Sequence, residues 1–246
     1  MIFSVYHKDA PYFIDDTYHV IKVGNQKADF INDGLSDDTG DNIAEKNPFF
    51  CELTAIYWIW KNYDLNSTKF IGFSHYRRHF DFKSLWFKIR TDIKQARMSK
   101  YLHSDDHLKI EKHLEEYDVI VTKPSILRKM TITEHYQDRH IAEDWDIMLA
   151  ALKEMYPEYH QTASEYFNKK RRRLYWYNMS IMSSDKFRVY MEWLFPLLFE
   201  LEKRIKISDD PYQSRVIGFL AERLMNLYFE HNKFKILEKP MIYIKD

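Results

Sequence analysis

Four short apolar runs constrain this chain more than any other feature. They are IFSVY at 2–6, YHVIKV at 18–23, FIGFS at 70–74 and the VIV core of YDVIVTK at 117–123. Each is too short for a helix and carries almost nothing polar, so each reads as a strand crossing a core. The segments between them have helical character. Asn47-Pro48 is a helix-start signal, with Asn as cap and Pro at the first position. The helix it opens runs through FFCELTAIYWIWKN and puts Leu53, Ile56, Tyr57 and Trp60 on one stripe. Strands alternating with helices predict an α/β fold.

The last third turns helical. One helix is predicted from Glu143 to Met155, ending before Pro157. A second runs from Ser184 or Asp185 to about Ile205, with Pro196 inside it predicting a kink. A third is opened by Asp210-Pro211 and runs to about His231. YWYNMSIMS at 175–183 alternates like a strand, and MIYI offers a closing one. Residues 32–48 are turn-rich. With 246 residues and no repeat or low-complexity linker, one domain is expected, with an α/β half at 1–125 and a helical half at 126–246.

Composition removes several function classes. Lys plus Arg equals Asp plus Glu at 37 each, which argues against a nucleic-acid binder that uses its whole surface. Cys51 is the single cysteine, so no internal disulfide forms, and its apolar setting suits a packed thiol. The N-terminal run is too short for a signal peptide, and no stretch approaches the ~20 apolar residues of a membrane span. A cytoplasmic protein is expected. Aromatics reach 17%, more than a plain core needs, and such an excess often lines sugar or base sites.

Chemistry concentrates where the third apolar run ends, in FIGFSHYRRHF. The strand delivers His75, Tyr76, Arg77 and Arg78 with no spacer. Residues just past the carboxyl end of a buried parallel strand face the ligand crevice of an open α/β sheet. Paired guanidinium groups there suit a phosphate or carboxylate. The plainer reading is a surface turn paired with acids such as Asp81.

Taken together, GDNIAEKNPFFCELTAIYWIWKN, FIGFSHYRRHF, YDVIVTK, NMSIM and RVIGFLAERL resemble a bacterial family from capsular and exopolysaccharide clusters. That family was long a domain of unknown function and is now treated as glycosyltransferases. The resemblance spans about residues 2–240. It implies a GT-A-like, Rossmann-type nucleotide-sugar-binding sheet with a helical C-terminal part. It also implies a nucleotide-sugar donor, such as a UDP-hexose of the galactose type, and a lipid-linked glycan acceptor. GT-A enzymes usually hold a divalent metal on an Asp-x-Asp at the strand end. HYRR stands at that place here, so Arg77 and Arg78 are expected to carry the diphosphate with no metal or other cofactor.

By the same resemblance, Tyr6, His7 and Lys8 lie where the base and ribose are met. Asp41, Asn42, Asn47 and Glu52 match a loop-and-helix signature that contacts the nucleoside or orders the loop, although Asn47 alone reads equally as a helix cap. Glu143 and Asp144 open a predicted helix like the base site of inverting GT-A enzymes, and Asp144 is the expected general base; the plainer reading is that both acids complement the helix dipole. His135, His140, Asn178, Arg215 and Glu222 are assigned to the acceptor or to support of the site. Glu222 and Arg223 read as a buried pair, and Gly218 as a point of close packing. Two rivals remain open: a metal-dependent enzyme using the aspartates from Asp37 to Asp41, and a non-catalytic glycan- or RNA-binding module.

Two basic stretches complete the reading. KKRRR at 169–173 is read as a solvated face. Residues 83–100 carry six basic residues against one acidic, around Leu85, Trp86, Phe87 and Ile89. That pattern suits an interfacial segment on an anionic membrane, peripheral to its inner face, or a plain helical excursion.

Overall fold

The computed structural model describes residues 1–24, 34–84 and 88–245. The strands are β1 (Ile2–Tyr6), β2 (Tyr18–Lys22), β3 (Leu35–Ser36), β4 (Phe70–His75), β5 (Arg78–Phe80), β6 (Arg90–Lys94), β7 (Val119–Thr122), β8 (Ser125–Leu127), β9 (Arg172–Leu174), β10 (Ser180–Ser183), β11 (Ile236–Lys239) and β12 (Met241–Lys245). The helices are α1 (Asn47–Phe50), α2 (Leu53–Asn62), α3 (Met98–Tyr101), α4 (Asp106–Leu114), α5 (Ile132–Gln137), α6 (Ala142–Met155), α7 (Pro157–Phe167), α8 (Ser184–Arg204) and α9 (Val216–His231).

The α/β class read from the sequence is what the chain adopts. The main sheet runs β11-β7-β10-β4-β1-β2-β3, with β4, β1, β2 and β3 parallel and β10 antiparallel between β4 and β7. Strand alternation divides the core. Phe3, Val5, Ile71 and Phe73 join α2, α6, α7, α8 and α9 on one face, while Ile2, Phe70, Ile120 and Ile181 pack on the other with α3 and α4. Both faces are covered, which is why the first runs carry so little polarity. From β1 the chain steps to β2 and β3 on one side, then returns to β4 on the other. The crevice between β1 and β4 is therefore a topological switch point, where open α/β sheets bind ligands.

Three expectations are corrected. The helix predicted from Asn47 is broken: α1 ends at Phe50, Cys51 takes φ 55 and ψ −132, and α2 begins at Leu53. Asn47 does not cap it; its amide donates to the Cys51 carbonyl at 2.8 Å and to Thr54 Oγ1 at 3.2 Å. The strand predicted over 175–183 is reduced to β10, because Tyr177 and Asn178 both have positive φ and cannot extend it. The strand end at HYRR is a tight turn, with His75 and Arg78 directly paired across it. Within 83–100, residues 90–94 form β6 beside β12, residues 98–101 form α3, and 85–87 lie outside the described residues. Among the described residues no helix is long and apolar enough to cross a membrane.

Gly72 sits in β4 between two core strands, where a Cβ would lie 2.7 Å from Ile181 Cγ1 and 3.2 Å from Ile2 Cγ1. Overpacking of this kind costs about 1–3 kcal/mol. Gly72→Ala should therefore lower the unfolding free energy by that amount, read as a lower urea midpoint with little change in the slope of the transition.

Candidate active site

A cavity of about 1010 Å³ opens at the carboxyl ends of β1, β2 and β4. Val5, His7, Val23, His75 and Tyr76 come to it directly from those strand ends. Its walls are the α1–α2 break, the residues after α5, the loop before β10, and the start of α9.

Two parts can be distinguished by chemistry. Toward β1 and β4 lie Asn47, Glu52, His75, Arg78 and Arg215. The tight turn decides which arginine enters. Pairing of His75 with Arg78 places them side by side on one face, so Arg78 lines the cavity, whereas Arg77 at the turn tip does not. The Arg78 guanidinium lies 4.4 Å from the Tyr177 ring centroid, and its buried Nε has no hydrogen-bond partner. A buried N–H on a guanidinium with no acceptor of its own has the chemistry to take an anion. Arg215 Nε donates to Cys51 Sγ at 3.3 Å, and its charge, like that of Arg78, is felt at both Glu52 and His75.

The other part is aromatic. His140 stacks on Phe219 at 4.2 Å and on Tyr212 at 5.8 Å, while His135 tilts against Trp176 at 5.4 Å. Arg139 is exposed at its rim. Burial pushes His75, His135 and His140 down to about 4, so all three are neutral at pH 7.

Glu222 stands where the two parts meet. It accepts from the Tyr177 backbone N–H at 2.6 Å and from Arg223 Nη1 at 2.9 Å. Burial, its largest influence, pushes Glu222 up to about 7; Arg223 pulls the other way and Glu52 adds to the rise. Glu52, itself raised by burial, accepts from Asn178 Nδ2 at 2.7 Å. The Asn178 amide also reaches the Gly218 carbonyl at 3.4 Å. Gly218 allows this close approach, since a Cβ there would fall 3.2 Å from Cys51 Sγ and press on it. Strained Cys51, Tyr177 and Asn178 are thus locked to the start of α9.

The remaining sequence candidates lie around this cavity. Tyr6 is buried, with its hydroxyl on the Pro11 carbonyl at 3.0 Å; Lys8 is exposed, 5.3 Å from the Tyr76 ring centroid. Asp41 accepts from Tyr57 Oη at 2.9 Å, and Asn42 bonds the Gly40 carbonyl at 3.0 Å, so both order their loop. Glu143 is exposed, and Asp144, buried at the start of α6 and pushed up to about 6 by burial, does not line the cavity. Of the Asp37–Asp41 aspartates, Asp37 is fully buried and none lines the cavity. Among the described residues no three His, Cys, Asp or Glu side chains are grouped to hold a metal ion. Arg139, Trp176, Tyr177, Tyr212 and Phe219 were not legible from sequence. Only the aromatic excess pointed toward them.

One family profile matches residues 1–233. The chain belongs to that family, described as Domain of unknown function (DUF4422). No curated protein matches. Among solved structures, this DUF4422 chain is similar over its whole length to WbbM, a bifunctional glycosyltransferase solved in its apo form, at 29% identity and a TM-score of 0.84. It covers 45% of that protein, and so spans less than half its length.

The buried histidines set an acid limit on stability. His79 is pushed down to about 3 by burial, and His7, His19 and His113 are lowered in the same sense. An unfolded histidine binds its proton near pH 6.5, and these native ones do not. Stability present above about pH 6.5 is therefore lost as the pH falls toward 4. Glu52, Glu222, Asp37 and Asp144 are raised and act in the opposite sense, but they are four against seven. The melting temperature should fall between pH 6.5 and 5, and His79→Gln should reduce that slope by up to one proton.

Proposed function

We propose that this chain transfers one sugar from a nucleoside-diphosphate donor to a glycan hydroxyl, without a metal ion. The observation that carries the reading is the Arg78 guanidinium, its buried Nε without a partner, sharing the cavity with Arg215 at the switch point of a sheet similar to that of a glycosyltransferase. The diphosphate lies against Arg78 and Arg215. The acceptor sugar lies on the platform of His140, Phe219 and Tyr212, whose apolar ring faces suit the C–H face of a pyranose. Arg77, at the turn tip, supports the turn and does not bear on the phosphate.

Glu222, between the two parts, is the general base in this reading, in place of Asp144 and Glu143. The C1–O bond to the phosphate breaks and its electron pair leaves with the nucleoside diphosphate, stabilised by the two arginines. The acceptor oxygen forms the new bond at C1, and its proton passes to Glu222. Attack from the face opposite the leaving group inverts the configuration. Glu52 holds Asn178, and burial, with a smaller contribution from Glu52, keeps the proton affinity of Glu222 near neutrality, where a base works best. A lipid-linked acceptor in capsular or exopolysaccharide synthesis, presented at the inner membrane face, fits the family resemblance.

A thermal-shift screen of nucleotide sugars, beginning with UDP-hexoses and run with and without EDTA, tests the donor site. A stabilising donor indifferent to EDTA is expected, with the shift abolished in Arg78→Gln and kept in Arg77→Gln. Loss of the shift with EDTA, restored by manganese, would favour the metal-dependent rival. A chain that ignores every nucleotide would favour a binding module.

The base has its own test. Glu222→Gln should lower turnover at least ~100-fold with donor affinity unchanged. In the wild type, kcat/KM should rise with pH and level off above about 7, as Glu222 loses its proton. Glu222→Gln activity near that of the wild type would return the role to another carboxylate.

A further inference from the structure

KKRRR at 169–173 is not a plain solvated face. Arg171, Arg172 and Arg173 line a second groove of about 530 Å³, shared with Lys233 from the end of α9 and with the rings of Tyr166 and Phe234. It lies on the other side of a thin wall from the main cavity. Ser125, Trp176 and Glu222 face the cavity, whereas Ile126, Tyr175 and Asn226 face the groove. Asn226 secures that wall by gripping the Tyr175 backbone at both N–H and C=O, each at 2.9 Å.

Charge in the groove is incompletely balanced. Arg173 pairs with Glu238 at 2.8 Å, and Arg172 loosely with Glu230 at 3.4 Å, leaving the buried Arg172 Nε without a partner. Arg171 and Lys233 have no acidic partner among the described residues. Their backbones add an independent argument. Arg171 has φ 60 and Lys233 has φ 54, a region where glycine or asparagine is the inexpensive choice. Lys233 stands just past α9, with the next residue, Phe234, donating its N–H to the Phe229 carbonyl at 2.9 Å, a position usually given to glycine. A cation there also suits the negative end of the helix, but Arg171, held by its N–H on the Leu127 carbonyl at 2.8 Å, has no such reason. Long cationic side chains occupy both strained positions, and both enter the same groove.

We propose that this groove is a second oxyanion site, built for a phosphate or pyrophosphate group and separate from the donor site. Arg171, without an acidic partner among the described residues, and Arg172, whose Nε is unfilled, suit a tetrahedral oxyanion, and the half-exposed Ile126 beside them suits an apolar substituent on the phosphate. Such a group is borne either by a lipid or by a soluble phosphate ester.

The test is titration calorimetry of the full chain with inorganic pyrophosphate. Arg171→Gly/Lys233→Gly removes both cations while relieving both backbones. It should lose one class of binding site at least tenfold in affinity while melting no lower than wild type. Arg78→Gln should keep that class, which separates this inference from the proposed donor site. Co-sedimentation with phosphatidylglycerol vesicles, lost in the double variant, identifies a lipid-borne phosphate; pyrophosphate binding without vesicle binding identifies a soluble one. Unchanged pyrophosphate affinity in the double variant overturns the proposal. So does a lowered melting temperature in that variant, which would make the two residues structural, or loss of all pyrophosphate binding in Arg78→Gln.

Discussion

The hydrogen bond from Asn178 to Glu52 holds the active cavity together. It joins two stretches of backbone that both sit outside the comfortable regions, the Cys51 break on one side and Tyr177–Asn178 on the other. Such conformations cost roughly 1–3 kcal/mol each and persist only where their surroundings over-determine them. The surroundings here are the Asn47 grip on the Cys51 carbonyl, the close approach of Gly218 to Cys51, and the Tyr177 N–H on Glu222. The break turns Glu52 away from an ordinary helix start and into the cavity. The loop does the same for Tyr177 and Trp176. Without the strain, the walls of the site would be a continuous helix and a continuous strand.

Desolvation then gives these groups their character. Two carboxylates and a set of arginines share one partly closed space, where charge is felt more strongly than in water. Burial raises Glu52 and Glu222 and lowers the histidines, so the cavity's positive charge at pH 7 is carried by its arginines and not by its imidazoles. The Glu222–Arg223 ion pair keeps one carboxylate oriented without making it acidic, because burial outweighs the neighbouring cation.

Much of this was readable in the sequence. The buried strands IFSVY, FIGFS and VIV could be found from apolarity alone, since parallel strands covered on both faces tolerate little else. So could α6, α8 and α9 from their apolar spacing, although the cap of α8 is Ser183 and not Ser184 or Asp185, and α9 begins at Val216, after the Asp210-Pro211 turn. The failures share one cause. Asn47-Pro48 looked like the start of a long helix because helix propensity does not register a single residue at φ 55. Alternation at 175–183 looked like a strand because it does not register two residues at positive φ. HYRR was legible as a cationic strand end, but which of Arg77 and Arg78 lines the cavity depends on a turn that flips one side chain relative to the next. The aromatic platform needed tertiary structure, as His140 and Phe219 are 79 positions apart in sequence and 4.2 Å apart in space.

The arrangement of charge also bears on how a transferase of this kind would discriminate between its two ligands. In the proposed reading a nucleoside diphosphate, being anionic, would find its counter-charges beside β4. A neutral acceptor sugar would meet rings and neutral imidazoles, with Arg223 paired to Glu222 and Arg139 at the rim. Were His135 and His140 protonated at pH 7, both halves of the cavity would attract the diphosphate, and the donor could bind in either. Burial beside Arg223 keeps them neutral, since a second positive charge there would face both desolvation and a like charge. The same arginine that orients Glu222 therefore also disfavours a proton on either imidazole.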